Sequence, residues 1–406
     1  MDQIEHKYVE VNGLKLHVAE IGSGSSPAVV FLHGFPEIWY SWRHQMIAVA
    51  SAGFRAIALD YRGYGLSDPP PEPEKTTFLD LVGDLLALYD ALSISKIEHK
   101  YVEVNGLKLH VAEIGSGSSP AVVFLHGFPE IWYSWRHQMI AVASAGFRAI
   151  ALDYRGYGLS DPPPEPEKTT FLDLVGDLLA LYDALSISKA FLIAKDFGAI
   201  VASIFAVLYQ DRILGFVTLG VPFYLPRFLT SDKQLPEGFY MSRWKEPGRA
   251  ESDFGRLDAK TVVRNVYILF SRSEIPIAHE NEEIMDLVDS STPLPSWFTE
   301  EDLATYGMLY EKSGFQTALQ VPYRSFHEQV AKPDPKVQVP ALLIMGEKDY
   351  VFRFPGMADY ITSGKVKTFV PNLEISFIPE GTHFVQEQLL AQVNDLILNF
   401  LRSHNN

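Results

Sequence analysis

Residues 190–199, AFLIAKDFGA, combine a short apolar run with a charged pair and an apolar continuation. The apolar run is typical of a strand that is buried on both faces of a parallel sheet. Two small residues, Ala194 and Gly198, lie two positions before and two positions after Asp196. Small flanks of this kind mark a sharp strand-to-helix turn that exposes a nucleophile. The stretch therefore predicts a buried strand, a turn with Asp196 at its tip, and a helix.

Further apolar runs predict the rest of an α/β sheet. They are AVVFLHG (28–34 and 121–127), FRAIALD (54–60 and 147–153), ILGFVTLG (213–220), ALLIMGEKD (341–349) and ISFIPEG (375–381). Segments with helical spacing separate them, and one closing helix is predicted over 384–402. Strands that alternate with helices favour a parallel sheet. The insertion at 222–330 is too long for a loop, and we interpret it as a cap domain.

Residues 4–96 recur without one substitution as residues 97–189. Each copy predicts a hairpin at an Asn-Gly turn, two buried strands and two helices, which together make half a sheet with an open edge. Solenoid repeats are shorter and imperfect. The favoured interpretation is a recent duplication, or an exon counted twice when the gene was assembled. A regulatory or dimerising extra module is the alternative.

Either copy could supply the first half of the sheet. Docking of residues 4–96 would leave 93 residues to loop out, at a cost of about 4 kcal/mol. Connectivity therefore predicts that 97–221 and 331–406 form the core, with 222–330 as the cap and 1–96 as a surplus copy. Exchange of the surplus copy between neighbouring chains stays open.

Composition excludes several classes of function. The 406 residues carry a formal net charge of −16, and an acidic surface repels phosphate backbones, so no nucleic-acid partner is expected. No stretch approaches the roughly 18 apolar residues of a membrane helix, and the N-terminus lacks the apolar run of a signal peptide. With no cysteine, disulfides and thiol nucleophiles are excluded. A cytoplasmic protein without a membrane partner is the expectation.

Three polar residues follow predicted strands in the order Asp196, Asp349, His383. Open α/β sheets place their sites at these strand ends, and the order nucleophile, acid, histidine is one that hydrolases use. Each aspartate alone could equally be a helix cap, and a single histidine could be a packed residue. The turn His126-Gly127-Phe128-Pro129 also follows a strand, where backbone N–H groups could form an oxyanion hole.

Four motifs resemble the soluble epoxide hydrolases of the α/β-hydrolase fold, especially the plant type. They are HGFPEIWYSWRHQM (126–139), DYRGYGLSDPP (153–163), the turn at 194–198 and EGTHFV (380–385). The resemblance spans about 97–402. It implies an α/β-hydrolase sheet with a mainly helical cap, preceded by the duplicated half-sheet segment. It also implies that a small apolar epoxide is converted to a vicinal diol by a monomer or homodimer with no metal and no organic cofactor.

The resemblance also implies a set of site residues. The nucleophile would be Asp196, the orienting acid Asp349 and the base His383, with Tyr240 and Tyr323 as donors to the epoxide oxygen. The oxyanion hole would use the N–H groups of Phe128 and Phe197, and the substrate would contact His126, Pro129 and Trp132. Five aromatic residues of the insertion could be pocket walls or cap core: Phe239, Trp244, Phe270, Trp297 and Phe315.

The turn departs from the family pattern Gly-His-Asp-Trp-Gly at Ala194, Lys195 and Phe197. The ammonium of Lys195 would either lie near Asp196 or point behind the sheet, where it needs a buried partner. Two other readings stay open. A haloalkane dehalogenase would share the Asp–His–acid plan, although Phe197 removes one tryptophan halide donor. A non-catalytic protein would hold a small apolar ligand in the same pocket.

Overall fold

The structure is a computed structural model that describes residues 3–24, 26, 28–92, 94, 96–225, 235–325 and 335–405. The chain divides into two compact units, Met1–Ile97 and Glu98–Asn406, called here the N-terminal unit and the C-terminal unit. The N-terminal unit holds one copy of the repeated sequence, and the C-terminal unit holds the other together with everything that follows it.

The N-terminal unit has a sheet of order β1-β2-β4-β3. Its elements are β1 (Glu5–Val11), β2 (Leu14–Ile21), β3 (Ala28–Phe31), α1 (Arg43–Ser51), β4 (Arg55–Leu59) and α2 (Phe78–Ala91). The hairpin turn has φ of 49° at Asn12 and 78° at Gly13, and these two positive values confirm the predicted Asn-Gly hairpin. Among the described residues, β3 is paired only with β4.

The C-terminal unit has a sheet of order β12-β11-β10-β9-β7-β8-β6-β5. Its strands are β5 (Glu98–Val104), β6 (Leu107–Ile114), β7 (Ala121–Leu125), β8 (Arg148–Leu152), β9 (Ala190–Lys195), β10 (Ile213–Leu219), β11 (Ala341–Gly346) and β12 (Leu373–Ile378). The helices that cover this sheet are α3 (Arg136–Ser144), α4 (Phe171–Ala184), α5 (Phe197–Leu208), α11 (Met357–Thr362), α12 (Val385–Gln388) and α13 (Leu390–His404).

Parallel pairing aligns the strand ends that carry the polar residues. Leu125 of β7 lies opposite Ala194 of β9, and Lys195 lies opposite Leu219 of β10. β10 continues the parallel pairing to β11, and β11 to β12. The residues that follow β7, β9, β11 and β12 therefore meet at one edge of the sheet.

The insertion between β10 and β11 is mainly helical. It contains α6 (Tyr240–Lys245), α7 (Arg249–Phe254), α8 (Ala259–Phe270), α9 (Glu300–Ser313) and α10 (Gln316–Arg324), and α8 packs along α9. The predicted boundary between 330 and 331 lies outside the described residues.

The closing helix is interrupted, whereas the sequence predicts one continuous helix. Leu389 has φ −127° and ψ 59° between α12 and α13. The preceding side chains, Gln386 and Glu387, are buried and bonded to Glu130 and Arg136. These interior polar contacts fix α12 in an orientation that a straight helix would not reach, which apolar periodicity alone does not reveal.

The two copies of the repeated sequence differ in how deeply their last helix is buried. In α4, Phe171 is fully buried and Val175 is 1% exposed, whereas their counterparts in α2, Phe78 and Val82, are 86% and 52% exposed. The difference arises because α4 packs against α5, and α5 belongs to the segment that occurs once in the chain.

We expect Phe171→Ala to lower the free energy of unfolding of the C-terminal unit by about 3–5 kcal/mol, because it leaves a cavity in a close-packed core. The matched variant Phe78→Ala should change the free energy of unfolding of the C-terminal unit by less than about 0.5 kcal/mol. Urea unfolding followed by near-ultraviolet circular dichroism measures both. Equal losses from the two variants would contradict the assignment of residues 97–189 to the complete sheet.

Candidate active site

Asp196 lies at the tip of the turn between β9 and α5. Its φ of 51° and ψ of −132° form a strained conformation for a residue with a side chain. A Cβ atom at Gly198 would lie 2.5 Å from the carbonyl oxygen of His126, so the turn closes this tightly only with glycine there. The Asp196 side chain is left 20% exposed at the strand edge.

His383 and Asp349 meet beside Asp196, so the three predicted residues come together. The Nδ1 atom of His383 lies 3.0 and 3.1 Å from the two carboxylate oxygens of Asp349. Asp349 also accepts the N–H of Val351 at 2.9 Å, which fixes its orientation. The Nε2 atom of His383 lies 3.6 Å from Oδ1 of Asp196. Since a carboxylate must receive a proton from Nδ1, we assign the tautomer that leaves Nε2 free to accept one.

Charges around the pair shift both pKa values. Burial lowers the pKa of His383, but the negative charges and hydrogen bonds of Asp349 and Asp196 outweigh it and raise that pKa above 6.5. Burial favours the neutral form of Asp196, but the electrostatic interaction with His383, the charge of Lys195 and the N–H of Phe128 hold its pKa below its usual value. Asp196 is therefore an available carboxylate at neutral pH.

The predicted oxyanion donors, the N–H groups of Phe128 and Phe197, lie at the same edge. The N–H of Phe128 donates to Oδ2 of Asp196 at 3.0 Å. Phe197 is the first residue of α5, and the N–H groups of a first helical turn have no acceptor within the helix. A Cβ atom at Gly127 would lie 2.4 Å from Cβ of Asp196, so the close approach of this loop requires glycine.

Two tyrosines of the cap lie over this carboxylate. The rings of Tyr240 and Tyr323 are buried with centroids 6.1 Å apart, and Tyr323 lies 5.8 Å from the ring of Phe128. Burial raises the pKa of each, and the charge of Asp196 raises both further. Sequence reasoning missed Tyr350, whose hydroxyl lies 3.5 Å from that of Tyr240 and whose ring lies 4.7 Å from that of His383. The sequence signal that could have identified Tyr350 is its position directly after Asp349.

Two of the three predicted substrate contacts, His126 and Trp132, also make contacts within the protein. Both ring nitrogens of His126 are used by the protein, since Nδ1 lies 2.8 Å from the carbonyl of Gly127 and Nε2 accepts the N–H of Tyr154 at 3.4 Å. The indole of Trp132 packs edge-on against His99, and its backbone N–H donates to Asp153. The His126 ring lies 6.4 Å from the ring of Phe197, beside Asp196.

The remaining residues of the predicted pocket divide into two groups. Pro129 is buried directly after Phe128, next to the oxyanion donor. Four of the insertion's aromatic residues adjoin the tyrosines or Phe128: Phe239, Trp244, Phe270 and Phe315. The fifth, Trp297, packs instead against Tyr267, Phe298 and Phe384.

Lys195 is fully buried and has a buried carboxylate as its partner, while its charge still acts on Asp196. Its Nζ lies 3.3 Å from Oε2 of Glu130 and 4.6 Å from the ring centre of Phe384. Glu130 also accepts the N–H of Gly127 at 3.1 Å and a bond from Gln386. The ion pair thus touches the segments that carry the nucleophile, the oxyanion donor and the histidine.

A second buried carboxylate links the core to the cap. Glu387 accepts hydroxyl groups from Tyr267 of α8 at 3.0 Å and from Tyr306 of α9 at 3.3 Å. Arg136 donates to Glu387 and to Asp302 of α9, each at 2.8 Å. Burial raises the pKa of Glu387 to about 7, although Arg136 opposes that shift. Over the residues that are described, no group of three metal-ligating side chains occurs, and no helix could cross a membrane.

Comparison with known proteins identifies the class first. A family model described as alpha/beta hydrolase fold matches residues 27–98 and 120–388, so the chain is an α/β-hydrolase. Epoxide hydrolase 2 of Siraitia grosvenorii is 39% identical over 319 residues, which are 76% of this chain and 99% of that protein.

Solved structures agree with this relationship. The structure of potato (Solanum tuberosum) epoxide hydrolase I has a TM-score of 0.69 and 34% identity, and the match covers 76% of this chain and 100% of the potato chain. An epoxide hydrolase mutant from Vigna radiata has a TM-score of 0.70 and 36% identity, with 76% and 99% of the two chains covered. The chain belongs to the plant-type epoxide hydrolases of the α/β-hydrolase superfamily.

We expect Glu130→Gln to destabilise the C-terminal unit by about 3–5 kcal/mol, because it leaves the buried ammonium of Lys195 without a counter-ion. Glu37→Gln is the matched control, since exposed Glu37 accepts the N–H of Gly34 at the same 3.1 Å in the N-terminal unit. It should cost less than about 0.5 kcal/mol.

Adding Lys195→Met to Glu130→Gln should restore most of the lost stability, because the charge itself is then gone. Urea unfolding of the original chain, of Glu130→Gln, of Lys195→Met and of the double variant gives the coupling free energy between the two side chains. Additive effects of the two substitutions would show that the pair does not interact.

Proposed function

We propose that this epoxide hydrolase opens an apolar epoxide through an ester on Asp196. The carboxylate of Asp196 attacks one ring carbon, the bond from that carbon to the epoxide oxygen breaks, and Tyr240 or Tyr323 protonates the departing oxygen. The observation that carries this proposal is the 3.6 Å separation between Asp196 and the Nε2 atom of His383, beside the hydrogen bond from Phe128.

The second half of the reaction hydrolyses the ester. His383 takes a proton from a water molecule, and the resulting hydroxide attacks the ester carbonyl carbon of Asp196. The negative charge that develops on the carbonyl oxygen is stabilised by the N–H groups of Phe128 and Phe197. Collapse of this intermediate breaks the bond between the carbonyl carbon and the ester oxygen, and the released alkoxide takes the proton of the added hydroxyl group, which gives the vicinal diol and regenerates the carboxylate. The proton held by His383 then restores the tyrosine that protonated the epoxide oxygen. Asp349 holds the histidine and stabilises its positive charge.

The wall of the site favours an apolar substrate. Tyr240 lies among aromatic rings, at 4.8 Å from Phe270 and 5.2 Å from Trp244. Removal of water from such a site strengthens the hydrogen bonds of the two tyrosines to the leaving oxygen. A side-chain N–H donor for a halide is absent at the residue after the nucleophile, where Phe197 stands, so the arrangement suits an oxygen leaving group better than a halide.

Mass spectrometry after rapid mixing with an epoxide tests the two halves separately. We expect His383→Gln to accumulate an adduct on the peptide that contains Asp196, because alkylation proceeds and hydrolysis is blocked. Asp196→Asn should give no adduct and no diol. Binding of the epoxide by the unsubstituted chain with neither adduct nor diol would favour the non-catalytic alternative.

The pH dependence of ester hydrolysis follows from His383. The base must be neutral, and its pKa is raised above 6.5, so the hydrolysis rate should be low in acid and should rise through a midpoint above pH 6.5. Lys195→Met removes a positive charge that lowers the pKa of His383, so the midpoint should move further upward. Single-turnover rates between pH 5 and pH 9, about two units either side of neutrality, measure it. A midpoint below 6.5, or a downward shift in the variant, would contradict the assignment.

A further inference from the structure

The N-terminal unit exposes a large apolar surface. The apolar face is defined here as the free edge of β3 together with four side chains of α2: Phe78, Leu79, Val82 and Leu86. These side chains are 86%, 82%, 52% and 51% exposed. Contiguous apolar surface of this kind, beside a strand edge without charged residues, is a site of association.

The C-terminal unit shows what this surface is built to contact, because its sequence there is identical. The counterpart of β3 is β7, whose second edge is paired with β9. The counterpart of α2 is α4, which packs against α5. In the C-terminal unit, the strand edge and the helix face that correspond to the apolar face therefore both contact the strand–helix segment β9–α5. The same surface of the N-terminal unit has the sequence of a buried one.

The β9–α5 segment cannot cover the apolar face of the N-terminal unit, because each chain has too few of these segments. Each chain contains two copies of the repeated sequence but only one β9–α5 segment. Exchange of that segment between chains would cover one copy by uncovering another, with no net gain in buried surface. However the segments are exchanged between chains, half of the repeated copies therefore have no β9–α5 segment against their apolar face.

We propose that two chains associate through their N-terminal units, with the apolar face of one against the same face of the other. The same surface on both partners makes a closed two-fold contact. Strand β3 would pair antiparallel with β3 of the second copy about an axis near Val29. The two sheets then form one continuous sheet, and α2 of each chain faces α2 of the other as α4 faces α5.

The side chains that define the apolar face carry no charge. Strand β3 reads Ala-Val-Val-Phe, and the four exposed side chains of α2 are all apolar. Pairing would satisfy the open N–H and C=O groups of β3, as β9 does for β7 in the C-terminal unit. It would also remove Phe78 and Val82 from water, as the fold of the C-terminal unit does for their counterparts in α4, Phe171 and Val175.

Sedimentation velocity of the full chain tests the proposal. We expect a concentration-dependent dimer, and Leu79→Glu should raise its dissociation constant at least about tenfold by placing a charge in the contact. The matched control is Leu172→Glu, which changes the identical residue of α4 at a position 40% exposed and should leave the dimer intact. Both variants should retain epoxide turnover, since neither side chain belongs to the site.

Disulfide trapping tests the geometry. The chain has no cysteine, so Val29→Cys introduces a single thiol that would lie near the two-fold axis. We expect oxidation to give a covalent dimer with Val29→Cys and none with Val122→Cys, the buried counterpart in β7. A chain that stays monomeric up to its solubility limit would overturn the proposal. So would a dimer that Leu172→Glu disrupts and Leu79→Glu does not.

Discussion

The parallel pairing of β7 with β9 is the constraint on which the site depends. This pairing places Leu125 opposite Ala194, so the loop that begins at His126 and the turn that carries Asp196 leave the sheet side by side. The N–H of Phe128 can then reach the carboxylate of Asp196 at 3.0 Å. Since successive residues of a strand point to opposite faces, a slip of one residue would turn Asp196 away from this loop.

Electrostatic compensation keeps the same region stable while it holds five ionisable groups. The Lys195–Glu130 pair neutralises two buried charges, and Asp349 balances the histidine that acts on Asp196. The arrangement leaves the pKa of Asp196 low and that of His383 high, which suits a nucleophile that must be charged and a base that must accept a proton. Stability and reactivity at this edge therefore have the same electrostatic origin.

Apolar runs and small residues in the sequence predicted most of the sheet and the principal site. The strands of the two sheets and the meeting of Asp196, Asp349 and His383 follow from patterns that span a few residues each. Contacts between distant segments were not predictable in this way. The partner of Lys195, the contacts of Glu387 and Tyr350, and the break at Leu389 depend on side chains that only the folded chain brings together. Their separations run from 33 positions, for Tyr350 and His383, to 256 positions, for Glu130 and Gln386.

The missed contacts share a physical cause. Glu130 stands inside a motif that the sequence made conspicuous, but a glutamate five positions after a buried strand has many possible partners until the strand order is known. His126 and Trp132, which the sequence predicts as substrate contacts, also bond within the protein, since residues beside a reacting group can help to hold its loop. Local sequence identifies the residue types available for chemistry, and the register of the sheet decides which of them meet.

The central claim is that the oxygen delivered to the epoxide comes from Asp196 and that water attacks the resulting ester. A single turnover in H₂¹⁸O, with enzyme in excess, tests it most directly. The account predicts that the diol contains no ¹⁸O and that the peptide carrying Asp196 gains one ¹⁸O atom, because water reacts at the carboxyl carbon. Appearance of ¹⁸O in the diol of the first turnover, with an unlabelled peptide, would show direct attack by water and would contradict the covalent mechanism.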